Sequence, residues 1–220
     1  MWSEAIWKMI GVGILETLYM TLASTAVAYL LGVPLGVLLV VSEPEGIRPA
    51  PWWNGFFNLT INILRSVPFL ILLILVLPIT RAITGTTIGA TATVVPLVIA
   101  AFPFVARLVE SSLKEVDKGM IEAALSMGAS PFKIILKVLI PEAAPSLVVG
   151  CAIATTTILG YSAMAGIVGG GGLGAIAIRY GYNRYQTDIM LITVALLVII
   201  VQVMQEVGTK IALKRDKRRQ

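Results

Sequence analysis

The stretch that decides the fold is LETLYMTLASTAVAYLLGVPLGVLLVV, which runs from Leu15 to Val41. After Glu16 it contains no charged residue, and its apolar residues form a block instead of alternating in a helical or strand pattern. About 20 mostly apolar residues are enough for a helix to cross the hydrocarbon core of a bilayer. The stretch therefore predicts a transmembrane helix.

Composition extends this prediction to the whole chain of 220 residues. The hydrophobic fraction is 57% and the charged fraction is 13%, whereas soluble domains have about 45–50% apolar and about 25% charged residues. A soluble domain of this length could not hide so much apolar surface, so the bilayer must be part of its solvent. The start Met1-Trp2-Ser3-Glu4 lacks the basic residues of a cleaved signal peptide, so we expect the first apolar block to stay in the membrane.

Five apolar blocks are long enough to span a membrane, which predicts an all-α integral membrane protein with five transmembrane helices. We expect one membrane domain over residues 1–220. The third block contains Pro96 and Pro103, which lie seven residues apart near one helix face and predict a bent helix. The predicted spans are Leu15–Val41, Ile61–Ile79, Ile88–Val109, Val138–Leu159 and Ile189–Val207.

The Lys and Arg residues in the loops predict the orientation, because cytoplasmic loops carry the excess of positive charge. With the N-terminus outside, 13 basic residues flank the inside and 4 the outside. The chain is therefore predicted to have its N-terminus outside and its C-terminus inside. The basic residues near the C-terminus then form a cytoplasmic flank and not a site for nucleic acid. The inside residues are Arg48, Arg65, Arg107, Lys114, Lys118, Lys133, Lys137, Lys210, Lys214, Arg215, Lys217, Arg218 and Arg219, and the outside ones are Lys8, Arg81, Arg179 and Arg184.

The largest inside segment, at about residues 111–137, lies between the third and fourth helices. Ile121 to Met127 are mostly good helix formers, and Gly128 tolerates the left-handed conformation that ends a helix. Ser130 then caps a new helix with Pro131 at its first position. The segment predicts a short cytoplasmic helix, a sharp turn and a long helix that leads into the membrane. Its small Ala and Gly residues let another backbone approach, which suits docking into a cleft of a partner.

The stretch from Glu122 to Pro141 resembles the EAA loop of binding-protein-dependent ABC importers. It reads Glu-Ala-Ala, three residues, Gly128, nine residues, and then Val-Leu-Ile-Pro. The spacing agrees throughout, and Val138 and Ile140 replace the Ile and Leu of the family pattern. The resemblance implies docking on a cytoplasmic ATPase, whereas the alternative is an amphipathic connector with a chance Glu-Ala-Ala. The residues to which it assigns the docking are Glu122, Ala123, Ala124, Gly128 and Pro141.

Five further stretches resemble the permeases of methionine importers, and this resemblance covers nearly the whole chain. The stretch that begins at Gly160 points to the methionine branch. The stretches are GVPLG from Gly32, RSVPF from Arg65, AFPFVAR from Ala101, GYSAM from Gly160 and GGGLG from Gly170.

The resemblance implies a homodimer in a bacterial inner membrane, since five helices per chain leave the path to form between two copies. Each copy would dock one subunit of an ATPase dimer, and a periplasmic or lipid-anchored binding protein would deliver methionine. ATP and Mg²⁺ would belong to the ATPase. We expect no cofactor, metal or catalytic activity in this chain, because it has no nucleotide motif, metal cluster or nucleophile–base pair. The alternatives are an importer for another amino acid or a short peptide, a secondary transporter, and a channel or membrane scaffold.

Tyr161, Ser162 and Met164 lie near the outer end of the fourth predicted helix and are candidates for a gate or path. An unbranched Met can plug a narrow opening, and the Gly-rich run Gly169–Gly174 supplies hinge freedom. Ordinary packing of Met164 and membership of Tyr161 in the interfacial aromatic belt are the alternatives. The Gly run is not expected to hold a phosphate, since neither Lys-Ser nor Lys-Thr follows it.

Other polar and small residues have structural interpretations. Arg65, at the inner end of the second predicted helix, is interpreted as an anchor that reaches membrane lipid phosphates, with pairing to a mobile acidic residue as the alternative. The spacing of Gly32 and Gly36 predicts close helix packing. The acidic residues of the inside flank, which alternate with lysines, are predicted to form a solvated interaction surface. These are Glu110, Glu115, Asp117 and Glu122.

Overall fold

The computed structural model describes residues 4–215, with side chains as far as residue 212, and every regular element in that range is a helix. The all-α prediction is therefore confirmed. The tail residues Lys217, Arg218 and Arg219, together with the side chains of Lys214 and Arg215, lie outside the described residues.

The first helix, α1 (Glu4–Val41), is longer than the predicted span and begins before it. Its 38 residues correspond to about 57 Å at 1.5 Å per residue, compared with about 30 Å for the hydrocarbon core of a bilayer. Pro34 lies inside the helix. About half of α1 is therefore enough to cross the hydrocarbon core, and the remainder is free to extend beyond it.

The second predicted span, Ile61–Ile79, is wrong as a single helix. The chain instead forms α2 (Pro51–Ser66), α3 (Phe69–Leu75) and α4 (Leu77–Thr84). The break falls at Val67 and Pro68, because a residue before proline is disfavoured in the helical conformation and proline has no N–H to donate. Pro68 has φ −57° and ψ 136°, which is an extended conformation.

The remaining helices agree in order with the prediction, with shifted ends. The third span, α5 (Ala90–Lys114), runs without interruption through Pro96 and Pro103; the bend expected there stays a prediction. The helical course into the fourth span begins at Pro131, and the regular helix starts six residues later than the predicted span. The elements are α6 (Lys118–Ser126), α7 (Pro131–Ile134), a π-helix (Ile135–Leu139), α8 (Ile140–Glu142), α9 (Ala144–Ala165), a 3-10 turn (Gly166–Val168), α10 (Gly172–Ile176), a second π-helix (Ala177–Tyr182) and α11 (Thr187–Arg215).

Within the described residues, four helical stretches are long and apolar enough to cross a membrane. They start at Glu4, Ala90, Ala144 and Thr187. A fifth span results only if α2 and α3 are taken together as one bent pair. Four to five spans agree with an integral membrane protein.

By its internal contacts the chain separates into two compact units. Within the described residues, the first comprises 4–28, 67–101 and 154–205, and the second comprises 29–66, 102–153 and 206–215. The prediction of one membrane domain stays a prediction.

The first unit has an apolar core of buried aliphatic side chains from α1, α10 and α11. Ile10, Leu173, Ile176 and Ile189 are buried there. Gly174 is required at its position, because a Cβ atom would lie 2.2 Å from the carbonyl oxygen of Ala163. The backbone of α10 therefore packs directly against the backbone at the end of α9.

The second unit confirms the close packing predicted from Gly32 and Gly36. A Cβ atom on Gly32 would lie 2.7 Å from Val105, and one on Gly36 would lie 2.7 Å from the carbonyl oxygen of Ala106. These contacts bring the C-terminal part of α1 directly onto α5. Leu39, Ile61 and Ala106 form a small buried cluster beside them.

Candidate functional site

The short helix predicted in the inside segment is present as α6, three residues earlier than expected at its start. Asp117 is its N-cap, and its carboxylate accepts a hydrogen bond of 2.7 Å from the Gly119 N–H. An N-cap carboxylate satisfies an N–H group that has no partner inside the helix. This local signal, an Asp directly before the helix, fixes where α6 begins.

The end of α6 has the geometry that the sequence predicted. Gly128 has φ +75°, its N–H donates to the Leu125 carbonyl, and the Ala129 N–H donates to the Ala124 carbonyl. This pair of bonds is the Schellman motif, which ends a helix at a left-handed residue. An L-residue is strained in this conformation and the achiral glycine is not, so Gly128 determines the reversal of the chain.

The next helix begins as predicted, with Ser130 as N-cap and Pro131 at the first helical position. Ser130 has an extended backbone, but its side chain makes no capping hydrogen bond. The start is thus determined by Pro131, whose φ is already helical and whose missing N–H would have no partner there. Pro141 is the second residue of α8 and is exposed.

The exposed side chains of α6 and the turn after it form what we call the coupling surface, residues 118–132. Glu122, Ala123 and Gly128 are exposed, whereas Ala124 is buried and faces the rest of the second unit. Large apolar side chains lie open on the same segment, and Met127 is 81% exposed. Exposed apolar groups beside small residues are typical of a surface that binds another protein. The exposed apolar residues are Met120, Leu125, Met127 and Phe132.

Two ion pairs attach the loop after α1 to the base of the coupling surface. Lys114 Nζ lies 2.5 Å from Glu43 Oε1, and Lys118 Nζ lies 2.9 Å from Glu45 Oε2. The hydrogen bond and charge of Lys118 hold the pKa of the Glu45 carboxyl below its usual range. The Lys118–Glu45 pair is fully exposed, so it orients the loop and adds little stability.

Glu110 is not part of a solvated surface, so the prediction for this residue is wrong. It is 6% exposed, and its carboxylate lies 2.6 Å from Arg107 and 2.9 Å from Lys114. Arg107 also donates to Asn62 Oδ1 at 2.8 Å. This chain of contacts joins α2, α5 and the loop that carries Glu43, because each buried charge needs a partner.

Arg65 approaches an aromatic ring within the second unit. Its guanidinium carbon lies 6.0 Å from the centre of the Phe104 ring, a cation–π distance. Among the residues that the structure describes, Arg65 has no ion pair with a carboxylate. The lipid anchor and the mobile acidic partner both stay predictions, and Phe104 is the neighbour that the sequence did not reveal.

The gate candidates lie together near the end of α9, in the first unit. The Tyr161 ring is stacked on Phe69, with ring centres 4.5 Å apart. Ser162 is buried, and its hydroxyl donates to the Leu159 carbonyl at 2.7 Å. Met164 is 48% exposed. Tyr161 and Ser162 thus make contacts within the chain, whereas the exposed side chain of Met164 is free to contact a second copy or to line a translocation path.

The Gly run is held by hydrogen bonds, whereas the sequence suggested hinge freedom there. The Gly89 N–H donates to the Gly169 carbonyl, and the Gly170 N–H donates to the Ala165 carbonyl. Thr93 donates its hydroxyl to the Gly170 carbonyl at 3.2 Å. The positive φ angles of Gly169 and neighbouring glycines serve a fixed turn. Such long-range bonds leave no local signal in the sequence.

Met164→Ala is expected to loosen the coupling between ATP hydrolysis and uptake. The substitution removes an exposed thioether that could close the path by meeting its own copy across a two-fold axis. We expect basal hydrolysis without binding protein to rise by about fivefold, at the low end of coupling between sites. Hydrolysis and uptake are to be measured in proteoliposomes with and without binding protein.

Val149→Ala is the matched control for this variant, since Val149 is also half exposed on α9. If Met164→Ala has the same hydrolysis and uptake as the unchanged protein, both with and without binding protein, then Met164 only packs against its neighbours and the constriction lies elsewhere.

Comparison with known sequences identifies a family and relatives that cover most of the chain. The profile of the family described as binding-protein-dependent transport system inner membrane component matches residues 32–207. The chain is 50% identical to the probable D-methionine transport system permease protein MetI of Vibrio cholerae over 203 residues, 92% of this chain and 90% of that protein. It is 45% identical to the D-methionine transport system permease protein MetI of Escherichia coli K12 over 164 residues, 74% of this chain and 76% of that protein.

Solved structures give the same result for the fold. The MetNI methionine ABC transporter in inward-facing conformations contains a chain that superposes with a TM-score of 0.96 at 44% identity, over 98% of this chain and 100% of that one. A chain of an amino acid ABC transporter with histidines superposes with a TM-score of 0.79 at 19% identity, over 96% of this chain and 95% of that one. The second likeness concerns the fold alone.

Proposed function

Because the chain belongs to the family of binding-protein-dependent transport system inner membrane components, we propose that it is the permease subunit of an ATP-driven importer of methionine. Relatives that are 41–50% identical over most of its length carry the name of D-methionine permeases. The chain would form the translocation path, and a separate subunit would hydrolyse ATP.

The coupling surface is the observation that carries this proposal. A capped helix that ends at a left-handed glycine presents small and apolar residues without a partner inside the chain. Glu122, Ala123 and Gly128 would enter a cleft of the ATPase, whereas the buried Ala124 would hold α6 against the second unit. The ion pairs of Glu43 and Glu45 would transmit the displacement of α6 to the loop after α1. Pro141 lies in the short helix α8, on the way to the fourth span.

The proposed assembly contains two copies of this chain, two ATP-binding subunits and a periplasmic or lipid-anchored binding protein. Lipid surrounds the exposed apolar faces of the spans. ATP and Mg²⁺ are assigned to the ATPase; within the described part of this chain, no group of three or more His, Cys, Asp or Glu residues could hold a metal ion. The family description supports the binding protein, and the coupling surface supports the ATP-binding subunits.

We propose five spans with the N-terminus outside and the C-terminus inside. The distribution of positive charge supports this orientation. Thirteen basic residues flank the proposed inside and 4 the outside, and positive charge accumulates on the cytoplasmic side.

Cysteine labelling tests the orientation, with Cys151 first replaced by alanine. Arg179→Cys is expected to react with an impermeant maleimide added outside intact cells, and Lys118→Cys is expected to react only after the cells are opened. Both positions are exposed, so access to water does not limit either reaction. The reverse pattern would contradict the proposed topology.

Uptake in proteoliposomes tests the function. The permease is reconstituted with its ATPase and binding protein, and entry of labelled methionine is followed with ATP, without ATP, and with an ion gradient alone. We expect uptake only with ATP, and competition by methionine but not by a polar amino acid. Uptake driven by the ion gradient alone would make the chain a secondary transporter. Preferential uptake of another amino acid would show that this amino acid, and not methionine, is the substrate.

A further inference from the structure

A cleft of about 540 Å³ lies within the first unit, between the N-terminal third of α1, the loop before α5 and the helix that follows the Gly run. Its charged lining consists of Lys8, Glu16 and Arg179. Met9 and Ile176 are among the apolar residues of its walls. None of these residues has a role in the coupling surface or in the proposed gate.

The floor of the cleft is fixed by two hydrogen bonds between distant parts of the chain. Glu16 accepts the Gly172 N–H at 2.7 Å, and the Thr17 hydroxyl accepts the Leu173 N–H at 2.9 Å. Gly171 and Gly172 have positive φ angles, and these bonds satisfy the first N–H groups of the helix. The Glu16 carboxylate is therefore committed to the protein itself, and the shape of the cleft is largely preformed.

The two cations of the cleft, in contrast, pair with no described residue. Lys8 and Arg179 are exposed, and neither makes an ion pair or hydrogen bond with the part of the chain that the structure describes. The neighbouring Arg184 differs, since its guanidinium lies 4.7 Å from the centre of the Tyr180 ring. The cleft thus offers two uncommitted positive charges on a fixed base.

In the proposed topology the cleft lies at the outer end of α1. Glu16 is its lining residue on α1 nearest to Val41 and lies 25 positions before it, which corresponds to about 37 Å of helix. This length exceeds the hydrocarbon core of about 30 Å, and a tilt of about 20° shortens it by only a few per cent. When Val41 marks the inner membrane surface, Lys8, about two turns beyond Glu16, lies in the water outside.

We propose that this cleft receives an acidic side chain of the substrate-binding protein, with Lys8 and Arg179 as the docking cations. The inference rests on the proposed function, since the family is dependent on a binding protein. A carboxylate on a protein surface can approach these exposed cations from the open side of the cleft, away from the Glu16 carboxylate that is hydrogen-bonded at its floor. Complementary charges of this kind chiefly raise the rate of association and make it depend on salt.

The test measures binding of the purified binding protein to the complete transporter in nanodiscs at about 25, 100 and 300 mM NaCl, a range over which the screening length shortens several-fold. Lys8→Gln with Arg179→Gln is expected to weaken binding by about tenfold at the lowest salt and to flatten the salt dependence. Arg81→Gln is the matched control, because Arg81 is an exposed arginine of the same unit that does not line the cleft. We expect this control to bind as the unchanged transporter does.

Equal affinity and equal salt dependence in the double variant and in Arg81→Gln would overturn the proposal. Binding of labelled methionine or of a phospholipid to the cleft, lost in the double variant while docking is unchanged, would also overturn it and would assign a different ligand. Both results leave ATP-driven uptake intact. Failure of the proposed function is distinguishable, because the unchanged transporter would then take up no methionine with ATP.

Discussion

Replacing Gly128 by leucine is expected to abolish ATP-driven uptake, with a decrease of more than about tenfold, while the protein still inserts into the membrane. Gly128 has φ +75°, and an L-residue in this conformation is strained by about 1–2 kcal/mol. Apart from its two chain neighbours, no residue that the structure describes has an atom within 4 Å of the position of a Cβ atom there. The added side chain therefore projects from the coupling surface, where it would obstruct the approach of the ATPase.

Gly128→Asn is the matched control, because asparagine adopts the left-handed conformation at lower cost than leucine does. It separates backbone strain from bulk, and we expect it to retain most of the uptake. Membrane-inserted Gly128→Leu protein with normal uptake would remove the reason for assigning this surface to coupling. Insertion is to be measured by membrane fractionation and uptake with labelled methionine.

Glu110→Ala is expected to have the largest effect on stability. Glu110 is the buried partner of Arg107 and Lys114, and removal of one member of a buried ion pair costs about 3–5 kcal/mol. Lys114 retains Glu43 at 2.5 Å and is partly exposed. Most of the cost is thus expected from Arg107, which loses its carboxylate and keeps only its contacts with α2.

The measurement is the free energy of unfolding in detergent micelles, with Glu115→Ala as the control. Glu115 is exposed and follows α5 directly, so its loss is expected to change stability by less than about 0.5 kcal/mol, as for other surface substitutions. Glu110→Gln retains an oxygen that can accept a hydrogen bond, so its free energy of unfolding should lie between those of Glu110→Ala and Glu115→Ala. Equal stability of Glu110→Ala and Glu115→Ala would show that the network is dispensable.

The coupling segment was predictable from the sequence because its signals are local. Gly128 at the end of the helix and Pro131 at the next start each act through the backbone within a few residues. Asp117 is a local signal of the same kind, but the prediction did not use it and therefore began the helix three residues too late. The spacing of Gly32 and Gly36 predicted close packing, and the structure shows that α5 is the partner. Such features need no knowledge of the rest of the fold.

The second span was mispredicted because an apolar block indicates that a segment is in an apolar environment. It does not indicate whether the helix continues straight or is interrupted. Ile61 to Ile79 are apolar enough to suggest one span, yet Val67 and Pro68 interrupt the helix. Proline was expected to be tolerated inside a spanning helix, as it is at Pro96 and Pro103. Whether a proline ends a helix depends on whether neighbouring elements satisfy the freed carbonyl groups, and the sequence does not contain those neighbours.

The polar network was not predictable, because its members are distant in the sequence. Glu110 lies among charged residues and resembles a solvated position, but Glu43 and Asn62 come from other elements and complete a buried chain of contacts. The stacking of Phe69 on Tyr161 was not predictable for the same reason, because the two residues are distant in the sequence. Burial of a charge results from tertiary packing, which has no periodic signal.

The most direct test of the coupling surface is photo-crosslinking of the assembled transporter. A photoreactive amino acid at Met127, which is 81% exposed on the coupling surface, is expected to form a covalent product with the ATP-binding subunit, in a yield that changes with ATP. The same group at Tyr185, which is 88% exposed in the first unit, should form none. No product from Met127, or equal products from both positions, would contradict the assignment of this helix to the ATPase.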